Sequence, residues 1–336
     1  MDPQLRHVLS WPSAQVRLDL DGRCNLRCAF CRQASHEVSP DGAFPLEHLE
    51  KTLEILGKDV WSVYLSCTGE PLLHPDFAEA MKLVRWHLRN CDVQIVTNAT
   101  LLDVAHSQAL LAGNLSRVTF SVDSVRQERY ESIRRNARWE TVRANIVRFL
   151  KMRGERPWPK VMVNTILMEE NQDELEDIAN FCVENGVDAF RVQHLQEFED
   201  VPSMHRPVDD TPELRRRLRR IQLRLLVRGV VFDHPLALRW EKATSMLLSL
   251  RLHRFPLSYL KYLAGGAWGA LFSRCRMVGW ECFAFPDGTI RSCSEPCGDH
   301  PWDPCQESLL HYLRKSRRRS REKGFDGCAQ CRFRLR

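Results

Sequence analysis

Short apolar runs recur along the first two hundred residues, each followed by a stretch with helical spacing. In "QVRLDLD" the apolar positions Val16, Leu18 and Leu20 alternate strictly with polar ones, the period of a strand with one buried face. Then follow a helix ("LEHLEKTLEILGK"), a strand ("VWSVYLSC"), a helix ("PDFAEAMKLVRWHL") and a strand ("DVQIVTN"). A short helix ("LLDVAHSQALLAG") leads to the strand "RVTFSVD" and the helix "ETVRANIVRFLKMRG". "KVMVNTILM" reads as a fifth strand, "DELEDIANFCVENG" as its helix and "AFRVQHL" as a sixth strand. Strands and helices in regular alternation predict a parallel sheet with right-handed crossovers. Six units rather than eight predict an open, partial (β/α)6 barrel of the TIM type. In such sheets the chemistry collects at the carboxyl ends of the strands.

Four polar or glycine-bearing segments fall at those ends. The cysteine triplet of "DGRCNLRCAFCRQ" directly follows the first strand, and "TGEP" (residues 68–71) follows the second. "TNAT" (residues 97–100) ends the third and "SVDS" (residues 121–124) the fourth. In the triplet, Cys24 is followed after three residues by Cys28 and after two more by Cys31. Thiolates are soft ligands that select iron–sulfur clusters or zinc. Three close cysteines suit a [4Fe–4S] cluster whose fourth iron is left open. Zinc would need a distant fourth donor, and His36 stands beside no second cysteine pair.

Composition narrows the setting. The chain has 336 residues, 43% hydrophobic and 27% charged, enough for one large domain and a smaller one. The N-terminus lacks an apolar core of signal-peptide length, and no apolar run is long enough to cross a bilayer, so the expected compartment is the cytoplasm. Thirteen cysteines in a reducing compartment point to metal or cluster ligation rather than disulfides. A net charge of +6 names no partner.

These segments resemble the radical S-adenosylmethionine (radical SAM) superfamily. "CNLRCAFC" matches its cysteine motif, with the aromatic Phe30 before the last cysteine. "TGEPLLHPDF" is similar to its Gly-Gly-Glu-Pro motif with Thr68 in place of the first glycine. "TNATLL" resembles its Thr-Asn-Gly segment with Ala99 for glycine, and "FSVDSVRQERYESIRR" resembles the stretch that contacts the SAM ribose. The resemblance spans about residues 14–200. It implies that Cys24, Cys28 and Cys31 bind three irons and that SAM chelates the fourth. It implies that Gly69 and Glu70 hold the SAM amino group, that Thr97 lies beside SAM, and that Ser121 and Asp123 bond its ribose. Arg134 is a candidate for the SAM carboxylate or else a solvated helix residue. Asn164 and Gln193 are placed to line the adenine or substrate space, and His194 points away from Gln193 on a regular strand.

The C-terminal part carries a second group of cysteines: Cys275, Cys282, Cys293, Cys297, Cys305, Cys328 and Cys331. "CFAFPDGTIRSC" reads as a hairpin turning at Asp287–Gly288. The arrangement resembles the SPASM/twitch type of auxiliary-cluster domain. That resemblance implies one further [4Fe–4S] cluster on Cys275, Cys293, Cys328 and Cys331, with Cys282 as an alternative to Cys275. Two separated pairs also suit zinc. Cys297 and Cys305 are left over, as plain thiols, hydrogen-atom donors or ligands of a second auxiliary cluster. Cys67, Cys91 and Cys182 read as packing thiols.

The expected organisation is a partial barrel at 14–200, a helical connector at 201–272 and a cluster domain at 273–336. In the connector, "PELRRRLRRIQLRLLVRG" reads as a basic amphipathic helix. An apolar and aromatic stretch follows it, read as helices over the barrel mouth or else as a lipid or peptide surface. The basic run "LRKSRRRSREK" would be a solvated face or a dock for an acidic electron donor such as flavodoxin or ferredoxin. No aromatic platform beside it suggests nucleic acid.

The function expected is reductive cleavage of SAM to a 5′-deoxyadenosyl radical, which takes a hydrogen atom from a carbon of a small molecule or peptide. Oxidation, epimerisation and decarboxylation remain open outcomes, with the auxiliary cluster assisting electron transfer. A maturase that cross-links or epimerises a ribosomal peptide is an alternative. The absence of a peptide-binding domain before the barrel favours small molecules. A zinc or iron–sulfur binding protein without catalysis is the alternative of another class.

Overall fold

The computed structural model describes residues 14–31, 42–66, 68–195, 205–234, 281–284 and 290–291. The strands are β1 (Ala14–Leu18), β2 (Val60–Tyr64), β3 (Asp92–Thr97), β4 (Arg117–Ser121), β5 (Lys160–Leu167), β6 (Ala189–His194), β7 (Val231–Asp233), β8 (Glu281–Ala284) and β9 (Ile290–Arg291). They form one sheet in the order β7-β6-β5-β4-β3-β2-β1-β8-β9. From β1 to β7 each strand lies beside its successor in sequence, and all those pairs are parallel. This is the open, singly wound sheet expected of a partial TIM-type barrel.

The helices are α1 (Leu46–Asp59), α2 (Phe77–His87), α3 (Val104–Ala112), α4 (Gln127–Ile133), α5 (Trp139–Arg153), α6 (Leu175–Glu184) and α7 (Pro212–Val227). Their apolar positions recur at helical spacing and pack onto one sheet face. In α1, Leu49, Leu53 and Leu56 are fully buried. Phe120 of β4 meets Phe149 of α5 edge-on, with ring centroids 5.5 Å apart. Its neighbours Arg117, Thr119 and Ser121 therefore point to the opposite, concave face. Strand register carries that face across the sheet, matching Ser121 to Asn164, Asn164 to Arg191 and Arg191 to Asp233. A polar wall results: Arg17 lies over the Tyr64 ring at 5.1 Å, Arg117 donates to Gln94, and Arg191 donates to Asp233 at 2.8 Å.

The sheet runs past the six strands expected. The Thr211 hydroxyl accepts from Leu214 N at 3.1 Å and starts α7, the basic amphipathic helix, which buries Leu214, Leu218, Ile221 and Leu225. Arg217 on its other side grips the Glu176 carboxylate of α6 at 2.7 and 2.8 Å. The chain then adds β7 beside β6. Part of the segment read as a connector thus forms one more strand of the barrel sheet. At the opposite edge β8 pairs parallel to β1, and β8 and β9 form the antiparallel hairpin expected from "CFAFPDGTIRSC".

Candidate active site at the strand ends

The loop after β1 is held at several points by its backbone. Asp21 is fully buried and accepts from Arg23 N at 2.9 Å, which turns the chain toward Cys24. Farther along, Arg27 N donates to Arg135 O at 3.1 Å and Ala29 N to Ile133 O at 3.0 Å. Cys31 N closes a turn onto Cys28 O at 3.0 Å. Cys24 and Cys31 are half-buried and Cys28 is buried. Weak N–H···S contacts already reach two of the sulfurs: Leu26 N (3.5 Å) and Asn98 Nδ2 (3.9 Å) to Cys24, and Arg134 Nη1 (3.8 Å) to Cys28. Burial pushes the Cys28 thiol up to about 12, with Arg134 opposing, and raises Cys24 as well. Ligation of a metal would displace their protons. Among the described residues, no three His, Cys, Asp or Glu side chains are grouped tightly enough to hold a single ion.

The "TGEP" loop lies directly on the stem of the cysteine loop. A Cβ on Gly69 would sit 1.9 Å from the Asp21 carbonyl oxygen, so only glycine fits this approach. Thr68 is accommodated because its hydroxyl donates to Asp19 at 2.8 Å. Glu70 N donates to Arg23 O at 2.7 Å. The Glu70 carboxylate accepts from Thr97 Oγ1 (2.6 Å), Asn98 N (2.8 Å) and Leu72 N (3.2 Å). Burial pushes its pKa up to about 7 against these three donors. Asn98 extends the network by donating to Asn25 Oδ1 at 3.0 Å. Three rim loops are thereby fastened together around Cys24. Ala99, where the motif has glycine, takes a left-handed backbone at φ 60.

Several residues expected to touch SAM are thus engaged within the protein. The Glu70 carboxylate and Thr97 hydroxyl brace the rim through these bonds. Asp123 is fully buried, accepts from Ile166 N at 2.8 Å, and pairs with Arg134 at 2.8 Å. Burial raises its carboxyl and Arg134 opposes the shift. Arg134 is neither solvated nor left free for a carboxylate ligand. It is buried between Asp123, Cys28 and the Phe30 ring, 5.8 Å from the ring centroid. Burial by itself would favour its neutral form, but Asp123 holds it charged. Sequence spacing gives no sign of this placement, which depends on the α4 terminus folding onto the cysteine loop.

Ser121 and Asn164 lie side by side on β4 and β5. Ser121 is half-buried at the end of β4, matched in register to Asn164, whose buried Oδ1 has no hydrogen-bond partner. Gln193 and His194 are both exposed at the end of β6. Cys91 and Cys182 are buried, as expected of packing thiols. Cys282 lies in β8, opposite Val16 in register. His36, Cys67, Cys275, Cys293, Cys297, Cys305, Cys328 and Cys331 lie outside the described residues, as do the turn at Asp287–Gly288 and the basic run at 313–323.

The radical SAM superfamily model matches residues 21–182, which include all four rim segments. The chain contains a radical SAM domain. The superfamily is one of enzymes that use a [4Fe–4S] cluster and SAM. Among curated proteins, a probable GTP 3',8-cyclase of Methanothermobacter thermautotrophicus is 31% identical over 177 residues, covering 52% of this chain and 55% of that one. The GTP 3',8-cyclase of Chlorobaculum tepidum is 31% identical over 189 residues, covering 55% and 54%. The chain thus spans about half the length of the curated relatives it matches. Among solved structures, SuiB of Streptococcus suis bound to S-adenosylmethionine superposes with a TM-score of 0.66 at 17% identity, covering 91% of this chain and 67% of that one. The anSMEcpe structure with bound AdoMet gives 0.61 at 15% identity, covering 96% and 86%. These structures share the fold of the radical SAM domain described above. Among the described residues, no helix is long and apolar enough to cross a membrane.

Proposed function

We propose that Cys24, Cys28 and Cys31 hold a [4Fe–4S] cluster with one open iron, and that this enzyme abstracts a hydrogen atom from a carbon of a small-molecule or peptide substrate. The donor set fits the group: three thiols share one braced loop, and N–H groups already point at two of the sulfurs. When bound, the cluster would supply the electron for reductive cleavage of SAM to methionine and a 5′-deoxyadenosyl radical. The chain's own residues bind and orient. Gly69 lets the "TGEP" backbone approach the cysteine loop, while Glu70, Thr97 and Asn98 fix the rim. Ser121 and Asn164 offer hydroxyl and amide groups to the nucleoside. The polar concave wall from Arg17 to Asp233 suits a polar substrate better than an apolar one. SuiB has been solved with its precursor peptide SuiA, so this fold admits a peptide.

In the same reading, Cys275, Cys293, Cys328 and Cys331 (with Cys282 as alternative) form an auxiliary cluster site, and Cys297 or Cys305 serve as hydrogen donors if the outcome is epimerisation. An electron carrier of the flavodoxin or ferredoxin type supplies the reductant.

The observation carrying this proposal is the joint bracing of the cysteine loop by two other rim segments. Anaerobic reconstitution should load about eight irons and eight sulfides for two clusters. SAM and dithionite should then release 5′-deoxyadenosine, and Cys28→Ala should abolish the release. A sample holding only zinc would leave a binding protein without this chemistry. Release that persists in Cys28→Ala would remove the loop from the active site.

A further inference from the structure

Arg134 follows the last turn of α4, where its N–H donates to Tyr130 O. Its neighbours on both sides hold the cysteine loop by backbone: Ile133 O accepts from Ala29 N and Arg135 O from Arg27 N. The Arg134 side chain enters between these two bonds. Its guanidinium places Nη1 3.8 Å from Cys28 Sγ and Nη2 2.8 Å from Asp123 Oδ2, with the Phe30 ring 5.8 Å away. Arg134 is 7% exposed and Asp123 is not exposed at all. Asp123 is itself fixed from behind, its Oδ1 by Ile166 N and its carbonyl by Asn171 Nδ2, both at 2.8 Å. An arginine and a carboxylate are therefore locked in series behind one thiol, out of water.

We infer that Arg134 and Asp123 form a buried charge pair that sets the reduction potential of a cluster bound at Cys28. The inference rests on the reading of Cys28 as a ligand. A cluster that takes up one electron becomes more negative. A fixed cation on a ligating sulfur favours that reduced form, and hydrogen bonds to the sulfurs act in the same direction. A fixed carboxylate opposes it. Low polarity around the pair keeps both effects large. Arg134 touches the sulfur and Asp123 stands behind it, so the cation dominates and the carboxylate moderates it. Arg134 is here a positioning residue.

The test is an anaerobic redox titration of the reconstituted full chain, monitored by electron paramagnetic resonance. The signal followed is the one that changes on adding SAM, which marks the cluster with the open iron. At the potential where half of the wild-type cluster is reduced, the reduced-to-oxidised ratio should fall at least about tenfold in Arg134→Gln. It should rise at least about threefold in Asp123→Asn, which leaves the cation without its counter-charge. Arg134→Lys keeps the charge and should stay within about threefold of wild type. A purely structural pair would lower iron content in every variant without shifts of opposite sign. Shifts of the same sign, or Arg134→Lys behaving as Arg134→Gln, would overturn the inference. If Arg134→Gln takes up no iron, Asp123→Asn and Arg134→Lys decide by the same criteria. An iron-free wild type removes the reading of Cys28 itself, and this inference with it.

Discussion

Gly69→Ala tests how closely the second rim loop is pressed against the first. The added methyl would lie 1.9 Å from Asp21 O and within 2.9 Å of two further backbone carbons. Backbone on this stem cannot rotate away as a side chain can, so the "TGEP" loop must retreat by about 1 Å to reach tolerable contact. That retreat opens the bond from Glu70 N to Arg23 O, now 2.7 Å, and draws the Glu70 carboxylate off Thr97 and Asn98. A lost neutral bond costs about 1 kcal/mol, and a weakened bond to a buried charged group about 1.5–3 kcal/mol. The expected destabilisation is about 3–5 kcal/mol, the range reserved for strain at special backbone positions and broken buried networks. Urea unfolding of the iron-free protein measures it. Gly186→Ala is the control, because Gly186 has a left-handed φ of 69 but open space around its Cβ position. The control should lose only about 1 kcal/mol of backbone strain. A Gly69→Ala variant no less stable than Gly186→Ala would refute the close approach.

Three further outcomes are expected. Glu70 has a folded pKa of about 7, above the ordinary 4.5, so the unfolded chain gives up this proton first as pH rises. Its contribution to stability is then complete below about 4.5 and lost by about 7; in urea titrations from pH 5 to 8, the advantage of wild type over Glu70→Gln should shrink with rising pH, and an advantage that grows would reverse the sign. Asn171 donates to Asp123 O and Ile166 O and accepts from Met168 N while fully buried; Asn171→Ala should cost about 2–4 kcal/mol in thermal or urea unfolding, against under about 1 kcal/mol for the exposed Arg143→Ala. Replacing Cys328 and Cys331 together by serine should lower reconstituted iron from about eight to about four per chain, and an unchanged iron content would exclude that pair as ligands.

The alternation of Val16, Leu18 and Leu20, and the helical spacing in α1 and α5, were legible because local period reports which face is buried. So were the four rim segments, since each falls where a strand ends. The directions of the rim side chains were not. Glu70, Thr97 and Asp123 stand in or beside the motifs of the expected ligand, yet each is hydrogen-bonded to a group from another loop. Nothing local to those residues distinguishes an inward from an outward carboxylate. Arg134 escaped for the same reason: its burial depends on the fold bringing it onto Cys28, which is remote in sequence. β7 was missed because its three residues, Val231–Asp233, carry no readable period. Its place in the sheet follows from α7 packing on α6.

The parallel pairing of β8 with β1 has a consequence for biogenesis. The strand that launches the cysteine loop gains its second neighbour only from residues 281–284. Pairings across ~260 residues form late, after the more local β2–β7 sheet has wound. During synthesis β1 therefore presents a bare row of amide and carbonyl groups next to the cysteine loop. A nascent or truncated chain ending before residue 281 should be prone to pair that edge with another copy of itself. Completion of the C-terminal hairpin is then also the step that protects the protein from aggregation.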